Sequence, residues 1–130
     1  MDLRFTPDEE AFRDEVRAYF EDLLHGEFAE VRGRGGPGDE HACFDARLAF
    51  ERRMGADGWT CVGWPVEVGG RGLPLNKQVI YFEEYVRAGG PGRLGHIGEG
   101  LIGPTLIHFG TGAQKERFLP AIRLGEELWC

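Results

Sequence analysis

The sequence predicts an all-α domain. Three observations carry that expectation. Helix-start signatures occur at Thr6 and Thr111. Apolar residues recur at three- and four-residue spacing through most of the chain. No β-branched run reads as a strand. The 130 residues fit one domain, long enough to bury a core, and 42% hydrophobic with 28% charged residues is ordinary for a globular chain.

The first element opens at Thr6-Pro7-Asp8-Glu9. The Thr6 hydroxyl can accept from the amide three residues on, Glu9 can reach back to the amide of Thr6, and Pro7 fills the position where an N–H is not needed. Phe12, Val16, Phe20, Leu23 and Leu24 then recur at helical spacing, so residues 7–24 read as an amphipathic helix. Residues 25–43 hold clustered glycines and little periodicity, and read as a surface loop. A second helix is expected from Asp45 to Ala56, with Leu48, Ala49, Phe50 and Met54 on its apolar face and Gly55 and Gly58 as its stop.

Trp59, Trp64, Pro65 and the glycines at 69, 70 and 72 describe a compact turn packed by aromatic rings. A third helix follows from Pro74 to Ala88. Its expected apolar face is Leu75, Val79, Phe82 and Val86, broadened by Ile80. Residues 92–109 keep helical spacing but carry Gly95, Gly98, Gly100 and Gly103. Each glycine costs an exposed helix about 1 kcal/mol against alanine, so such a helix makes sense only where something approaches its backbone closely. Pro104 marks a break and a fresh first turn. Thr111-x-x-Gln114 opens the last helix, which runs through Phe118 and Leu119 to Leu124 and stops at Gly125. The final Leu128-Trp129-Cys130 reads as a cut inside a longer protein.

The formal charge of -7 argues against a nucleic-acid partner, which needs a basic face. No apolar run approaches the roughly 20 residues of a membrane span. The acidic start, with Asp2, Asp8, Glu9 and Glu10, is unlike a secretory signal and places the chain in the cytoplasm. Cys43, Cys61 and Cys130 show no C-x-x-C pair, and only His41 lies near Cys43, so neither a disulfide framework nor a metal site is expected. Gly98-Glu99-Gly100-Leu101-Ile102-Gly103 fits G-x-G-x-x-G. The buried strand that a dinucleotide turn requires does not precede it, so close helix packing is the better reading. Glu83-Glu84 are adjacent on a helix, do not face each other and cannot easily share a substrate. They read as a solvated or interface pair. No triad, phosphate loop or zinc motif is present.

Several segments in a fixed order resemble acyl-CoA dehydrogenases. Trp64-Pro65, Glu67, Gly69-Gly70 and Gly72 resemble the family's W-P-x-E-x-G-G-x-G stretch. Glu83-Glu84 lie in the helix where it carries a similar acidic pair. Gly103-Pro104-Thr105-Leu106, Phe109-Gly110-Thr111, Gln114-Lys115, Phe118-Leu119-Pro120 and Gly125-Glu126 resemble a later run. The resemblance implies an all-α helical bundle, the family's N-terminal domain, over residues 1–126, with 127–130 beginning a middle β domain that the sequence does not contain. It implies FAD in the full-length enzyme and α,β-dehydrogenation of an acyl-CoA thioester. The base glutamate belongs to a C-terminal domain, so no catalytic residue falls in this chain.

The resemblance further implies that Trp129 and Cys130 approach the cofactor, and that His96, Gly100 and Leu101 form part of the acyl-pocket wall. The expected partners are the acyl-CoA substrate, the remaining domains of the enzyme, a homo- or hetero-oligomer and an electron-transfer acceptor. Two alternatives stand beside a catalytic chain: a non-catalytic partner subunit, and a stand-alone helical interaction module of the same ancestry.

Overall fold

The computed structural model describes residues 4–130; the first three residues of the acidic N-terminal stretch lie outside it. Five α-helices are present: α1 (Pro7–Leu24), α2 (Phe44–Ala56), α3 (Leu75–Arg87), α4 (Gly103–Phe109) and α5 (Gly112–Arg123). Short 3-10 turns cover Ala29–Val31 and Val66–Val68, and a π-helical turn, Gly98–Ile102, leads directly into α4. The described residues contain no strand and no helix long and apolar enough to cross a membrane. They form two compact units, one built from the chain up to Cys43 with Pro74–Gly92, the other from Phe44–Leu73 with Arg93–Cys130.

In the first unit α1 packs along α3. The expected capping box closes α1: Glu9 N donates to Thr6 Oγ1 at 3.2 Å, and Thr6 N donates to Glu9 Oε2 at 2.7 Å. Phe12, Val16, Phe20, Leu23 and Leu24 are all buried, as their spacing predicts. The inward face of α3 differs from the expected one, of which Ile80 alone is buried. Ile80, Tyr81, Glu84 and Tyr85 are buried, whereas Leu75, Val79, Phe82 and Val86 are 47% to 75% exposed. The physical reason lies in α1. Phe20 meets Tyr81 and Tyr85 at ring-centroid distances of 5.5 and 5.2 Å. Arg13 and Arg17 converge on Glu84 at 2.7 and 3.0 Å. Two aromatic contacts and a doubly paired carboxylate fix the inward face.

Glu84 is therefore not a solvated residue: its side chain is 1% exposed, while Glu83, which takes only Arg13, is 52% exposed. Residues 25–43 are also more ordered than a surface loop. Phe28 and Val31 are buried. Gly33 N donates to Gly89 O at 2.7 Å and Gly92 N to Arg34 O at 2.8 Å, which ties the segment to the residues after α3.

In the second unit the inward face of α2 is Arg47, Phe50, Glu51, Met54 and Gly55, with Ala49 outside. Gly55 does not stop the helix; it lets the Arg123 carbonyl approach, and the left-handed Gly58 (φ 77°) ends the element. Arg71 stacks 3.5 Å over the Trp59 ring and donates from Nε to Gly58 O at 2.6 Å, so the segment around 59–72 is the compact aromatic turn expected. Thr111 and Gln114 form the second capping box, at 3.2 and 2.9 Å. Cys61, Trp64, Leu119 and Ile122 form a core cluster, flanked by Val68, Ile102, Leu106, Ile107, Phe118 and Trp129.

Candidate functional site

The glycine-bearing helix belongs wholly to the second unit, and a π-turn organises it. Gly103 N donates to Gly98 O, five residues back, instead of to Glu99 O. The next residue, Pro104, has no N–H, so the Glu99 carbonyl finds no donor at either helical spacing. Trp64 supplies one: its Nε1 donates to Glu99 O at 3.0 Å. A carbonyl left over by the helix is thus satisfied by a ring from the aromatic turn, as a buried acceptor requires.

This register sorts the glycines. A side chain on Gly103 would run into the Trp64 ring, with Cη2 at 2.5 Å from the Cβ position. One on Gly98 would meet Ile122 Cγ2 at 3.0 Å and Trp129 Cδ1 at 3.4 Å. Gly98 and Gly103 are five residues apart, and at about 100° per residue an α-helix would turn them to different sides. The π-turn, closed by an i→i+5 hydrogen bond, has more residues per turn than an α-helix and brings both onto the packed face. Gly100 points the other way, where a Cβ would meet nothing within 4 Å, and Leu101 beside it is 61% exposed.

Charged groups hold the turn from its N-terminal side. Glu51 of α2 accepts from the amide of Leu94 and from Gly95 N at 3.0 Å, taking the free donors ahead of the helix. Arg93 bridges Glu51 at 3.1 Å and Glu99 at 2.6 Å. The other oxygen of Glu99 accepts from Cys61 N at 3.0 Å. Burial, with the Glu99 charge adding to it, pushes the Cys61 thiol well above its ordinary value, so this cysteine is a packing residue and no nucleophile.

The residues expected at the site fall into two groups. Gly100 and Leu101 lie together on the open face of the π-turn. His96 is also exposed, at the start of the helix, with Nδ1 2.9 Å from Arg93 O. Trp129 and Cys130 lie apart from them in role. Trp129 packs edge-on to Phe118 at 5.5 Å and against Gly98, and its buried Nε1 has no acceptor among the described residues. Cys130 is an exposed free thiol. Sequence reading did not foresee Glu51, Arg93 or Glu99. Glu99 stood inside the glycine motif, but nothing in the spacing pairs its carboxylate with residues 6 and 38 positions away.

The family model for the acyl-CoA dehydrogenase N-terminal domain matches residues 6–126, and the chain belongs to that family. Among curated relatives, it is 54% identical over 123 residues to acyl-CoA dehydrogenase IpdE1 of Mycobacterium tuberculosis, covering 95% of this chain and 32% of the relative. Acyl-CoA dehydrogenase FadE29 of the same organism is 39% identical, with 97% and 30% covered. The chain thus spans about a third of the length of these relatives. Among solved structures, the Tcur3481–Tcur3483 steroid ACAD superposes with a TM-score of 0.79 at 37% identity, over 98% of this chain and 32% of that one. The ChsE4–ChsE5 complex from Mycobacterium tuberculosis gives 0.77 at 32% identity, over 97% and 30%.

Proposed function

We propose that this chain is the N-terminal domain, residues 1–126, of an FAD-dependent acyl-CoA dehydrogenase, with 127–130 leading into a middle β domain. In this reading the π-turn is one wall of the acyl pocket. The observation that carries it is the outward pairing of an open Gly100 with an exposed Leu101, beside His96: an apolar surface made shallow by a missing side chain. Such a wall suits a wide acyl group, and likeness to a structure described as a steroid ACAD supports a ring-bearing acyl-CoA as substrate.

The flavin supplies the redox chemistry when bound. This chain's own contribution is to bound the pocket and exclude water from it. Trp129 and Cys130 are the residues we place nearest the cofactor, a reading supported by the indole Nε1 that finds no acceptor among the described residues. The base glutamate and the electron-transfer acceptor belong to the rest of the enzyme and its surroundings. Likeness to two two-chain assemblies supports a hetero-oligomer, in which a chain of this ancestry is either the catalytic member or its partner.

The test is to purify the full-length protein together with any chain that copurifies with it. The expected result is a yellow complex that reduces a dye acceptor with ring-bearing acyl-CoA thioesters. A complex that binds flavin but turns over no acyl-CoA would refute the activity. Full activity retained when the base glutamate of the full-length protein is replaced and that of its partner chain is kept would assign it the partner role.

A further inference from the structure

The reading of the π-turn as a pocket wall raises the question of what fixes its shape. We propose that Arg93 is a positioning residue: by bridging Glu51 and Glu99 it holds the π-turn in the register that turns Gly100 and Leu101 outward, and so sets the breadth of acyl group the pocket accepts. The inference rests on the pocket-wall reading above.

Arg93 stands immediately ahead of the helix, between α2 and the turn. Its Nε donates to Glu51 Oε1 and its Nη2 to Glu99 Oε2, at 3.1 and 2.6 Å. The planar guanidinium can reach two carboxylates in different directions; a lysine ammonium on a flexible stem cannot hold both in one geometry. All three side chains are largely covered: Arg93 is 14% exposed, Glu51 5% and Glu99 17%. Without Arg93 two carboxylates with little solvent share one site, which is unfavourable unless one moves or protonates. Glu51 is fixed by the amides of Leu94 and Gly95, whereas the Glu99 carboxylate keeps one amide, Cys61 N, so Glu99 is the group that gives way.

The departure of Glu99 acts on the turn itself. Glu99 is held at three points: Arg93, Cys61 N and, through its carbonyl, Trp64 Nε1. Those contacts maintain a register that the helix would otherwise relax, because an α-turn would return Gly103 N to Glu99 O. One residue of register amounts to about 100° of rotation and 1.5 Å of rise. α4 is anchored by the Gly103–Trp64 contact, so the change falls on the residues before it, Gly100 and Leu101 among them. The shape of the wall then changes although no wall residue has been replaced.

The experiment uses the full-length enzyme with its partner chain, and measures kcat and KM for a short straight-chain and a ring-bearing acyl-CoA together with thermal unfolding. Arg93→Met is expected to change the ratio of kcat/KM between the two substrates by about tenfold, chiefly through KM, and Arg93→Lys by an intermediate amount. Arg93→Met that lowers the melting temperature and scales both substrates equally would make the residue merely structural and overturn the proposal. Leu101→Ala probes the wall directly. If it shifts the ratio and Arg93→Met does not, the positioning role fails and the pocket wall stands. If neither shifts it, the pocket wall fails and the proposal with it. Should Arg93→Met not fold, Glu99→Gln decides by the same ratio, since it keeps an acceptor for Cys61 N and loses the charge that Arg93 binds.

Discussion

Alanine at two glycines three residues apart should move stability in opposite directions. At Gly103 the new Cβ falls against a rigid indole, with Trp64 Cε2 at 2.9 Å and Cη2 at 2.5 Å. The ring is also held by its hydrogen bond to Glu99 O at 3.0 Å, so it cannot step aside without giving up that bond. Overpacking of this kind costs about 1–3 kcal/mol. A lost buried hydrogen bond adds about 1 kcal/mol, and better helix propensity returns about as much. The expected net loss for Gly103→Ala is about 2 kcal/mol, or roughly 6–12 °C in melting temperature for a chain of this size.

At Gly100 a Cβ meets nothing within 4 Å and the backbone φ is not positive, so Gly100→Ala should gain up to about 1 kcal/mol from propensity alone. Thermal and urea unfolding of both variants, followed by far-UV circular dichroism at one protein concentration, measures the difference. A Gly103→Ala protein melting within a degree of the parent, or a Gly100→Ala protein less stable than Gly103→Ala, would refute the sorting of the glycines by the π-turn.

Two further predictions concern buried ionisable groups. The hydrogen bonds from Arg17 and then Arg13 hold the Glu84 carboxyl below its ordinary value, so its contribution is present above the unfolded pKa and is lost as pH falls through the folded one. Glu84→Gln should cost about 2–4 kcal/mol near neutrality and flatten the acid limb of the stability–pH profile, as measured by urea unfolding from neutral pH down to below the ordinary carboxylate range; an acid limb as steep as the parent's would count against the pairing. The buried, upshifted Cys61 thiol should resist alkylation in the folded chain while the exposed Cys130 is modified, with Cys61 reacting only in denaturant; equal labelling of the two in peptide mass maps would contradict the burial.

What the sequence determined by itself was whatever depends on a few neighbouring residues. Both capping boxes, the buried stripe of α1 and the aromatic turn around Trp59 and Trp64 were legible because a hydroxyl, a carboxylate or amide three residues on, and a fixed apolar spacing define them locally. The resemblance of the ordered motifs likewise located the family. Tertiary structure decided the questions in which a helix offers two answers. α3 carries apolar residues on both sides, and only Phe20, Arg13 and Arg17 of α1 select Tyr81, Glu84 and Tyr85 over Val79 and Phe82 for the interior.

The glycine-rich helix shows the same division. Its composition demanded a close neighbour, but local sequence cannot say which glycines meet it while the period of the helix is itself undecided. The period was settled from outside, by an indole that donates to the carbonyl Pro104 leaves without a donor and by an arginine placed between carboxylates of two elements. Hydrogen bonds between residues this far apart in the chain exist only once the chain has folded, and they choose the face the helix leaves open.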